Sequence, residues 1–434
     1  MTRLLCPPRE LRSFGIFFLL SAAAWGQPAQ PSQTELIQRL LQRIDQLEKR
    51  VTELEGARTP KPTETTAPTP APGAMQPSTA AAPGAMATMA GDHDHGTILD
   101  PAATYPSLKL SGFSDINFTG SSRPGTHSGF NEGQFILHMS SALSSRVTYF
   151  GEISMTARTD AGAGSPPATG FNVEVERSII RYDLNDHFKL SFGRYHTPVS
   201  YWNTQFHHGS WLQTTASRPE MIQFGGNLIP VHFIGALAEG AYSAGGLNIN
   251  YNAGVGNGRS SVLSRSGDFG DVNNNKAWLA TVFIRPDALY GLQAGGSIYR
   301  DKIDVTGLPE TREWIRSAHL VWTKENPEFI AEYFNISHQR PGSSFVSSSQ
   351  AWYAQLGYRL PMADHWKPYY RYEYIHVPHT DPVFNYNLLD LAGSTFGLRY
   401  DISSFAAFKF EWRHQDRPGL AAINLAWVQT SFTF

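Results

Sequence analysis

Apolar and polar residues alternate with a period of two along most of the chain from Leu108 onward. Segments 247–255, 353–360, 395–402 and 408–413 place an apolar residue at every second position, with polar residues or glycine between them. Successive side chains of a β-strand point to opposite faces, so each segment predicts a strand with one apolar and one polar face. Soluble β-sandwiches show the same alternation, and the links between the strands therefore have to distinguish the two architectures.

The pattern predicts sixteen strands joined by links that are short and long in turn. The predicted strands begin near residues 108, 130, 146, 171, 187, 229, 247, 277, 290, 312, 328, 350, 366, 391, 404 and 422. Tight turns fall near 144–145, 185–186, 243–245 and 403–404, and long links fall at 119–129, 158–170, 198–228, 258–275, 339–349 and 378–390. Outer-membrane barrels combine short periplasmic turns with longer external loops, and an even number of strands returns both ends to one side. We therefore predict an all-β fold over residues 107–434, a transmembrane antiparallel β-barrel of about 16 strands.

A second pattern, with alternating steps of three and four, precedes the barrel. It predicts a short α-helical coiled coil over residues 35–55, whose core positions are Ile37, Leu40, Ile44, Leu47, Val51 and Leu54. β-Branched residues at a with Leu at d usually favour a dimer, whereas Leu36 and Leu41 widen the apolar stripe and favour a homotrimer. Three heptads are also compatible with a single amphipathic helix on the protein's own surface.

The remaining N-terminal segments are predicted to lie outside any folded domain. Residues 1–26 read as a signal peptide with a basic start, an apolar run and small residues at its end, and Cys6 would be removed with it. Residues 56–106 are rich in Pro, Ala and Thr and predict a disordered linker. Within it, His93 and His95 are weak candidates for metal ligands, although a mobile linker has no scaffold to fix their geometry.

Composition and motifs exclude several classes of function. The formal net charge is −2, which gives no support for a nucleic-acid partner. The chain has no GxSxG, HExxH, P-loop or GxGxxG motif in a suitable context, so we predict no enzyme and no cofactor.

The longest link, 198–228, carries the residues that we predict to act at a site. It is the third long loop, and in sixteen-stranded general porins the third loop folds into the lumen and narrows it. His207, His208, Arg218 and Glu220 are the candidates for the pore constriction, where side-chain charge sets ion preference. The two histidines would add positive charge below about pH 6.5. The alternative is a loop packed over the barrel mouth. A metal site is not expected, because adjacent residues on an extended chain diverge.

The polar faces of the strands supply further candidates. The residues predicted to face the lumen are Arg194, Arg359, Arg371, Glu373, Arg399, Lys409, Glu411 and Arg413. The chain ends in Phe434 after an alternating strand, which is similar to the C-terminal signal that the barrel assembly machinery reads in outer-membrane proteins.

Local motifs resemble those of the phosphate-selective porin O and P family. Segment 108–113, Leu-Lys-Leu-Ser-Gly-Phe, is similar to the first strand of that family, and segment 190–194 with Pro198 is similar to its glycine–arginine strand and following proline. The resemblance covers residues 107–434 as architecture and implies a trimeric, sixteen-stranded channel. Phosphate selectivity does not follow, because it needs a dense Lys and Arg lining. Nine of the 35 basic and ten of the 37 acidic residues precede residue 107, so the barrel is nearly neutral.

The sequence thus predicts a porin of the bacterial outer membrane, with its coiled coil in the periplasm. It would give weakly selective passive diffusion to small hydrophilic solutes or ions and would contact outer-membrane lipids. The alternative is a structural anchor, in which a plugged barrel holds a coiled coil that binds the cell wall or a periplasmic partner.

Overall fold

The computed structural model describes residues 105–158, 170–223, 228–259, 263, 267, 270–304, 310–384 and 390–434. The signal peptide, the coiled coil with its six core residues, the linker up to residue 104, and His93 and His95 lie outside the described residues. Within the described part of the chain, no helix has the length and apolar character that a membrane crossing needs.

The described chain forms a closed antiparallel barrel. The strands are β1 Ser107–Ser121, β2 Gly129–Ala142, β3 Val147–Ala157, β4 Phe171–Asn185, β5 Phe188–His196, β6 His232–Tyr242, β7 Ile249–Gly256, β8 Ala277–Ile284, β9 Leu292–Ile303, β10 Thr311–Trp322, β11 Glu328–Gln339, β12 Ser347–Gly357, β13 Trp366–His376, β14 Leu391–Ser403, β15 Ala406–Asp416 and β16 Ile423–Thr433. Each strand pairs with its neighbours in sequence, and β1 pairs with β16 to close the ring. The predicted sixteen-stranded barrel is therefore confirmed, with every predicted start within three residues of the observed one.

Within the described residues, three short helices lie in the links between strands. Helix α1 spans Tyr201–Phe206 in the link between β5 and β6, and a 3-10 helix follows it at Glu220–Ile222. A second 3-10 helix, Asp287–Leu289, lies between β8 and β9. The links that follow odd-numbered strands gather at one end of the barrel, which we call the loop end. The links that follow even-numbered strands gather at the opposite end, the turn end.

The two faces of the barrel wall differ in polarity. Phe396, Phe410 and Trp412 are exposed on the outer surface, as a wall in contact with lipid requires. Lys409 and Glu411, which alternate with them, are buried in the lumen. The predicted alternation of apolar and polar residues therefore coincides with the outer and inner faces of these strands.

The chain end closes the ring against the first strand. The Gly112 amide donates to the Phe434 carbonyl at 2.9 Å, and the Phe434 amide donates back to Gly112 at 3.1 Å. A Cβ at Gly112 would lie 2.5 Å from the Phe434 ring, so this position has no room for a side chain in the present packing. The Phe434 ring also lies against Phe135, with ring centroids 5.7 Å apart.

Candidate functional site

The link between β5 and β6 comprises residues 197–231, and we call it the lumen loop; its described residues, 197–223 and 228–231, fold into the barrel. Its two ends are adjacent, because the Thr197 amide donates to the Val231 carbonyl at 2.9 Å. Its middle reaches the far wall, where the Lys409 ammonium donates to the carbonyls of Ser210 and Thr215. The predicted long third loop is therefore inside the barrel and not packed over its mouth.

Helix α1 is fixed by a buried carboxylate of the barrel wall. Glu332 on β11 accepts hydrogen bonds from the amides of Tyr201 and Trp202, at 2.6 and 3.0 Å. The hydroxyl of Ser200 donates to the same carboxylate at 3.2 Å and also accepts from the Asn203 amide at 3.1 Å as the N-cap. The first amides of a helix have no partner within it and favour a negative charge. Glu332 therefore determines where α1 begins and how it points.

The apolar side of α1 packs on apolar residues inside the barrel. Trp202 is fully buried and contacts Phe206 and Tyr353, with ring centroids 5.0 and 5.9 Å apart. Phe334 and Ile330 on β11 belong to the same buried cluster. This part of the wall therefore departs from the polar inner face that alternation predicts, because it packs against the lumen loop instead of water. Truncating Trp202 to Ala would remove about 3–5 kcal/mol of packing free energy at such a site.

Most of the predicted lumen-facing charges hold the loop instead of facing solvent. They are Arg371, Glu373, Arg399, Lys409, Glu411 and Arg413, each at most 9% exposed. Arg371 donates to the carbonyls of Ser217 and Arg218, at 3.0 and 3.1 Å. Glu411 accepts from the amides of Ala216 and Ser217, at 2.9 and 3.2 Å. The wall charges therefore satisfy backbone groups of the loop that would otherwise be buried without partners.

The other two lumen-facing candidates lie elsewhere. Arg359 is in the link between β12 and β13 at the turn end, where it pairs with Glu325 at 2.8 Å and Asp401 at 2.7 Å. Arg194 lies near the loop end of β5 and pairs with Glu174 at 2.8 Å. Both positions were predicted as wall charges from alternation alone, which does not detect where a strand ends.

The constriction candidates are held within the loop's own packing. Arg218 is buried and donates to the carbonyls of His207 and Ile222. Burial lowers its pKa to about 9, which still leaves it cationic at neutral pH. Glu220 is half-buried and bridges Arg413, at 3.0 Å, and Arg417, at 2.7 Å. Arg218 and Glu220 therefore both have hydrogen-bond or ion-pair partners.

The two adjacent histidines of the loop are also buried. His207 and His208 are at most 4% exposed. Burial and the neighbouring His208 hold the pKa of His207 well below its ordinary value. Its burial therefore opposes the predicted charging of His207 below about pH 6.5, because a buried imidazolium lacks the solvation that stabilises it in water.

A cavity of about 340 Å³ remains beside the lumen loop. It is lined by α1 and by the inner faces of strands β4 to β10, and it reaches Asp186 at the turn end. Its charged groups have both signs: Arg181 pairs with Asp183 at 2.7 Å and with Glu239 at 3.3 Å, and Arg285 donates to Gln293 at 3.0 Å. The cavity therefore lies against the wall opposite the strands that hold the loop.

Sequence reasoning missed a cluster where the lumen loop leaves and rejoins the wall. His196 ends β5, His232 begins β6, and both lie within 5.6 Å of each other and of His207, measured between ring centroids. The carboxylate of Glu176 is 3.1 Å from His208 Nε2. The signal that could have indicated the cluster is the pairing of His196 with His232 between strands β5 and β6. Predicting that pairing requires the exact residues at which the loop begins and ends.

Comparisons with known proteins identify the fold. No family model and no curated protein sequence matches the chain. Among solved structures, it is similar to an anion-selective porin from Comamonas acidovorans, with a TM-score of 0.55 and 13% identity over 76% of this chain and all of that one. It is also similar to Salmonella typhi OmpF in complex with daunomycin, with a TM-score of 0.54 and 13% identity over 76% of this chain and 98% of that one. OmpT, an outer membrane protein of Vibrio cholerae, gives a TM-score of 0.51 and 14% identity over 78% of this chain and all of that one. The chain therefore has the fold of outer-membrane porins.

Proposed function

We propose that this protein is an outer-membrane channel for passive diffusion of small hydrophilic solutes or ions. The observation that carries the proposal is the lumen loop, which narrows a closed barrel with an apolar outer face and leaves beside it a cavity lined by charged groups of both signs. A barrel of this kind is stable in a bilayer because every backbone group of the wall has an internal partner. The solved porins of the same fold support the assignment by analogy.

Weak ion selectivity is part of the proposal. The charges that line the cavity have both signs and are largely paired, as Arg181 is with Asp183 and Glu239. Channel selectivity for anions or cations usually needs rings of one sign of charge. We therefore assign the protein to the architecture of the phosphate-selective porin O and P family without its selectivity.

The assembly and placement of the channel are proposed on the sequence. The heptads at 35–55 favour a homotrimer with the coiled coil in the periplasm, and Phe434 at the end of the closing strand supports recognition by the barrel assembly machinery. The long loops would then face outward and the loop-free turn end would face the periplasm.

A structural anchor is the second candidate. The observation in its favour is the dense docking of the lumen loop, in which Arg371 and Lys409 are fully buried against it. A barrel filled in this way would transmit force to the N-terminal segments without passing solute. The two functions differ in a single measurable property, the presence of a water path.

Conductance of the purified full chain in planar bilayers tests the channel. We expect discrete ohmic steps with little preference between K⁺ and Cl⁻. Because Thr197 and Val231 are hydrogen-bonded to each other, residues 198–230 can be replaced by a short Gly-Ser hairpin without straining the wall. That variant should give larger steps. A silent wild-type chain whose hairpin variant conducts would identify the natural protein as a plugged anchor.

A further inference from the structure

Four histidines and one glutamate converge beneath the lumen loop. The ring centroids of His196 and His207 are 4.2 Å apart, and those of His207 and His208 are 4.3 Å apart. His232 lies 5.6 Å from His196 by the same measure, and Glu176 reaches the group from the wall. All five residues are at most 8% exposed. Histidine is seldom fully buried, so four together at one place call for a chemical reason.

Local backbone structure brings these side chains together. His207 and His208 directly follow α1, and His207 has right-handed helical dihedrals, φ −48° and ψ −49°. Adjacent side chains of a helical turn are about 100° apart instead of opposed, as they are on an extended chain. The argument from sequence against a shared ligand assumed an extended chain and does not apply here.

The wall contributes the carboxylate through an irregularity in β4. The register between β3 and β4 shifts beside Glu152, so that Glu176 and Arg177 are both buried although they are adjacent in sequence. Bulges of this kind redirect one side chain of a strand. Arg177 forms an ion pair with Glu152, whose carboxylate also lies 3.6 Å from His196 Nε2, and Glu176 is the carboxylate that contacts His208.

His232 holds Glu176 in a defined orientation. The guanidinium of Arg194 can only donate, so His232 Nδ1, at 3.0 Å, must accept. The other ring nitrogen, Nε2, lies 2.6 Å from Glu176 Oε2. A histidine that orients a ligating carboxylate in this way is a typical outer partner of a metal site.

The remaining four residues, Glu176, His196, His207 and His208, form what we call the histidine site. Each offers one ligand atom, and these atoms all lie within 4.8 Å of one another. Metal–nitrogen bonds of about 2.0–2.1 Å in a tetrahedral site place ligand atoms roughly 3.4 Å apart, so binding a metal would draw these atoms together by up to about 1.4 Å. The donor set of three imidazoles and one carboxylate suits a borderline divalent ion such as Zn²⁺ and does not suit Mg²⁺ or Ca²⁺.

We propose that the histidine site binds one divalent transition-metal ion of the Zn²⁺ class, which fastens the lumen loop to the barrel wall. His196 comes from the last residue before the loop, His207 and His208 come from its middle, and Glu176 comes from the neighbouring strand. Such a bond network closes a long loop and favours its docked state over detached states. Metal binding itself does not depend on the channel proposal, whereas an effect on conductance does.

Zinc binding by the full chain in detergent tests the site. The protein should carry His93→Asn and His95→Asn, which removes the histidine pair outside the described residues, and should be stripped with a chelator. Equilibrium dialysis against Zn²⁺ should then show one ion per chain at micromolar free metal. Glu176→Gln and His208→Asn should each weaken binding at least tenfold. His319→Asn is the matched control, because His319 is a lumen histidine outside the site, and its binding should be unchanged.

Spectroscopy and folding controls make every outcome decisive. Co²⁺ in the same protein should give the intense visible bands of a four-coordinate site, and the loss of heat modifiability would reveal a misfolded variant. The proposal is wrong if the folded wild-type barrel binds no zinc, if Glu176→Gln and His208→Asn bind as tightly as wild type, or if Co²⁺ gives an octahedral spectrum. If zinc binds as proposed but no conductance is seen with or without it, the channel proposal fails and the metal site stands.

Discussion

Replacing Arg371 by Met tests whether wall charges hold the lumen loop in place. The guanidinium donates four hydrogen bonds to the loop, to the hydroxyls of Thr215 and Ser217 at 3.2 and 2.9 Å and to the carbonyls of Ser217 and Arg218 at 3.0 and 3.1 Å. Met has a similar length and no donor, so the substitution removes these bonds while it keeps most of the packing volume.

The magnitude follows from the burial of the site. Hydrogen bonds from a charged donor are each worth about 1.5–3 kcal/mol, but the four share one group and do not add. The substitution also breaks the ion pair between Arg371 and Glu373, at 2.8 Å. Glu373 keeps its second ion pair, with Arg413 at 3.2 Å. The pair between Arg371 and Glu373 lies within β13 and exists whether or not the loop is docked, so only the bonds to the loop contribute to docking. Counted as about two independent bonds, the four stabilise the docked state by about 3–5 kcal/mol, and we expect Arg371→Met to lose that amount. A tenfold change in equilibrium corresponds to about 1.4 kcal/mol, so detachment becomes roughly a hundred- to a few thousandfold more frequent.

Hydrogen exchange measures this detachment directly. The amides of Ala216 and Ser217, which Glu411 holds, should lose protection in Arg371→Met by that factor, and bilayer recordings should show added conductance noise. Arg359→Met is the matched control, because Arg359 is paired at the turn end without touching the loop. Equal protection in wild type and Arg371→Met would refute the docking argument.

Three further predictions concern the chain ends and one outer loop. Deleting Phe434 removes at most about 1.5–3 kcal/mol of burial, so refolding from urea should stay efficient while the amount assembled in cells falls; unchanged assembly in cells would contradict the assembly signal. Burial raises the pKa of Asp381, but the hydrogen bond with His338, at 2.9 Å, outweighs it and leaves the pKa below 3.8. The contact between Asp381 and His338 is therefore fully present above pH 3.8 and is lost as the pH falls further. Hydrogen exchange of the two backbone amides bonded to the Asp381 carboxylate should show this loss. Exchange of these amides that is already fast at pH 5 would contradict the prediction. Deleting residues 27–56 should leave a heat-modifiable barrel with weaker oligomers on native gels, and loss of the folded barrel would show that this segment is needed for folding.

The barrel could be predicted because its signal is local. Whether Phe410 lies on the outer face and Lys409 faces the lumen follows from their parity within one strand, and the same rule applies wherever a strand has no bulge. Turn and loop lengths also predict the order of the strands in the sheet, because each strand pairs with its neighbour in sequence. Both features can be read from the chain without any knowledge of distant contacts.

The interior of the barrel could not be predicted in the same way. Lys409 donates to Thr215, 194 positions away in sequence, and no periodicity links the two. The apolar inner residue Phe334 is explained only by its packing against the lumen loop, whose helix α1 begins where Glu332 accepts the amides of Tyr201 and Trp202. Sequence reasoning placed charged residues on the inner face but could not know that the loop would cover them.

The lumen loop also changes which residues can determine ion preference. A charge influences a passing ion when it faces the water path, and its effect weakens when a partner of opposite sign lies beside it. Arg371 and Lys409 are fully buried under the loop, so substitutions there act on loop docking. The cavity lies against the opposite wall, where Arg181, Arg285 and Glu239 are among the residues that line it. In the proposed channel we therefore expect substitutions on strands β4 to β10, which line the cavity, to change ion preference, and changes in the lumen loop to change the width of the path.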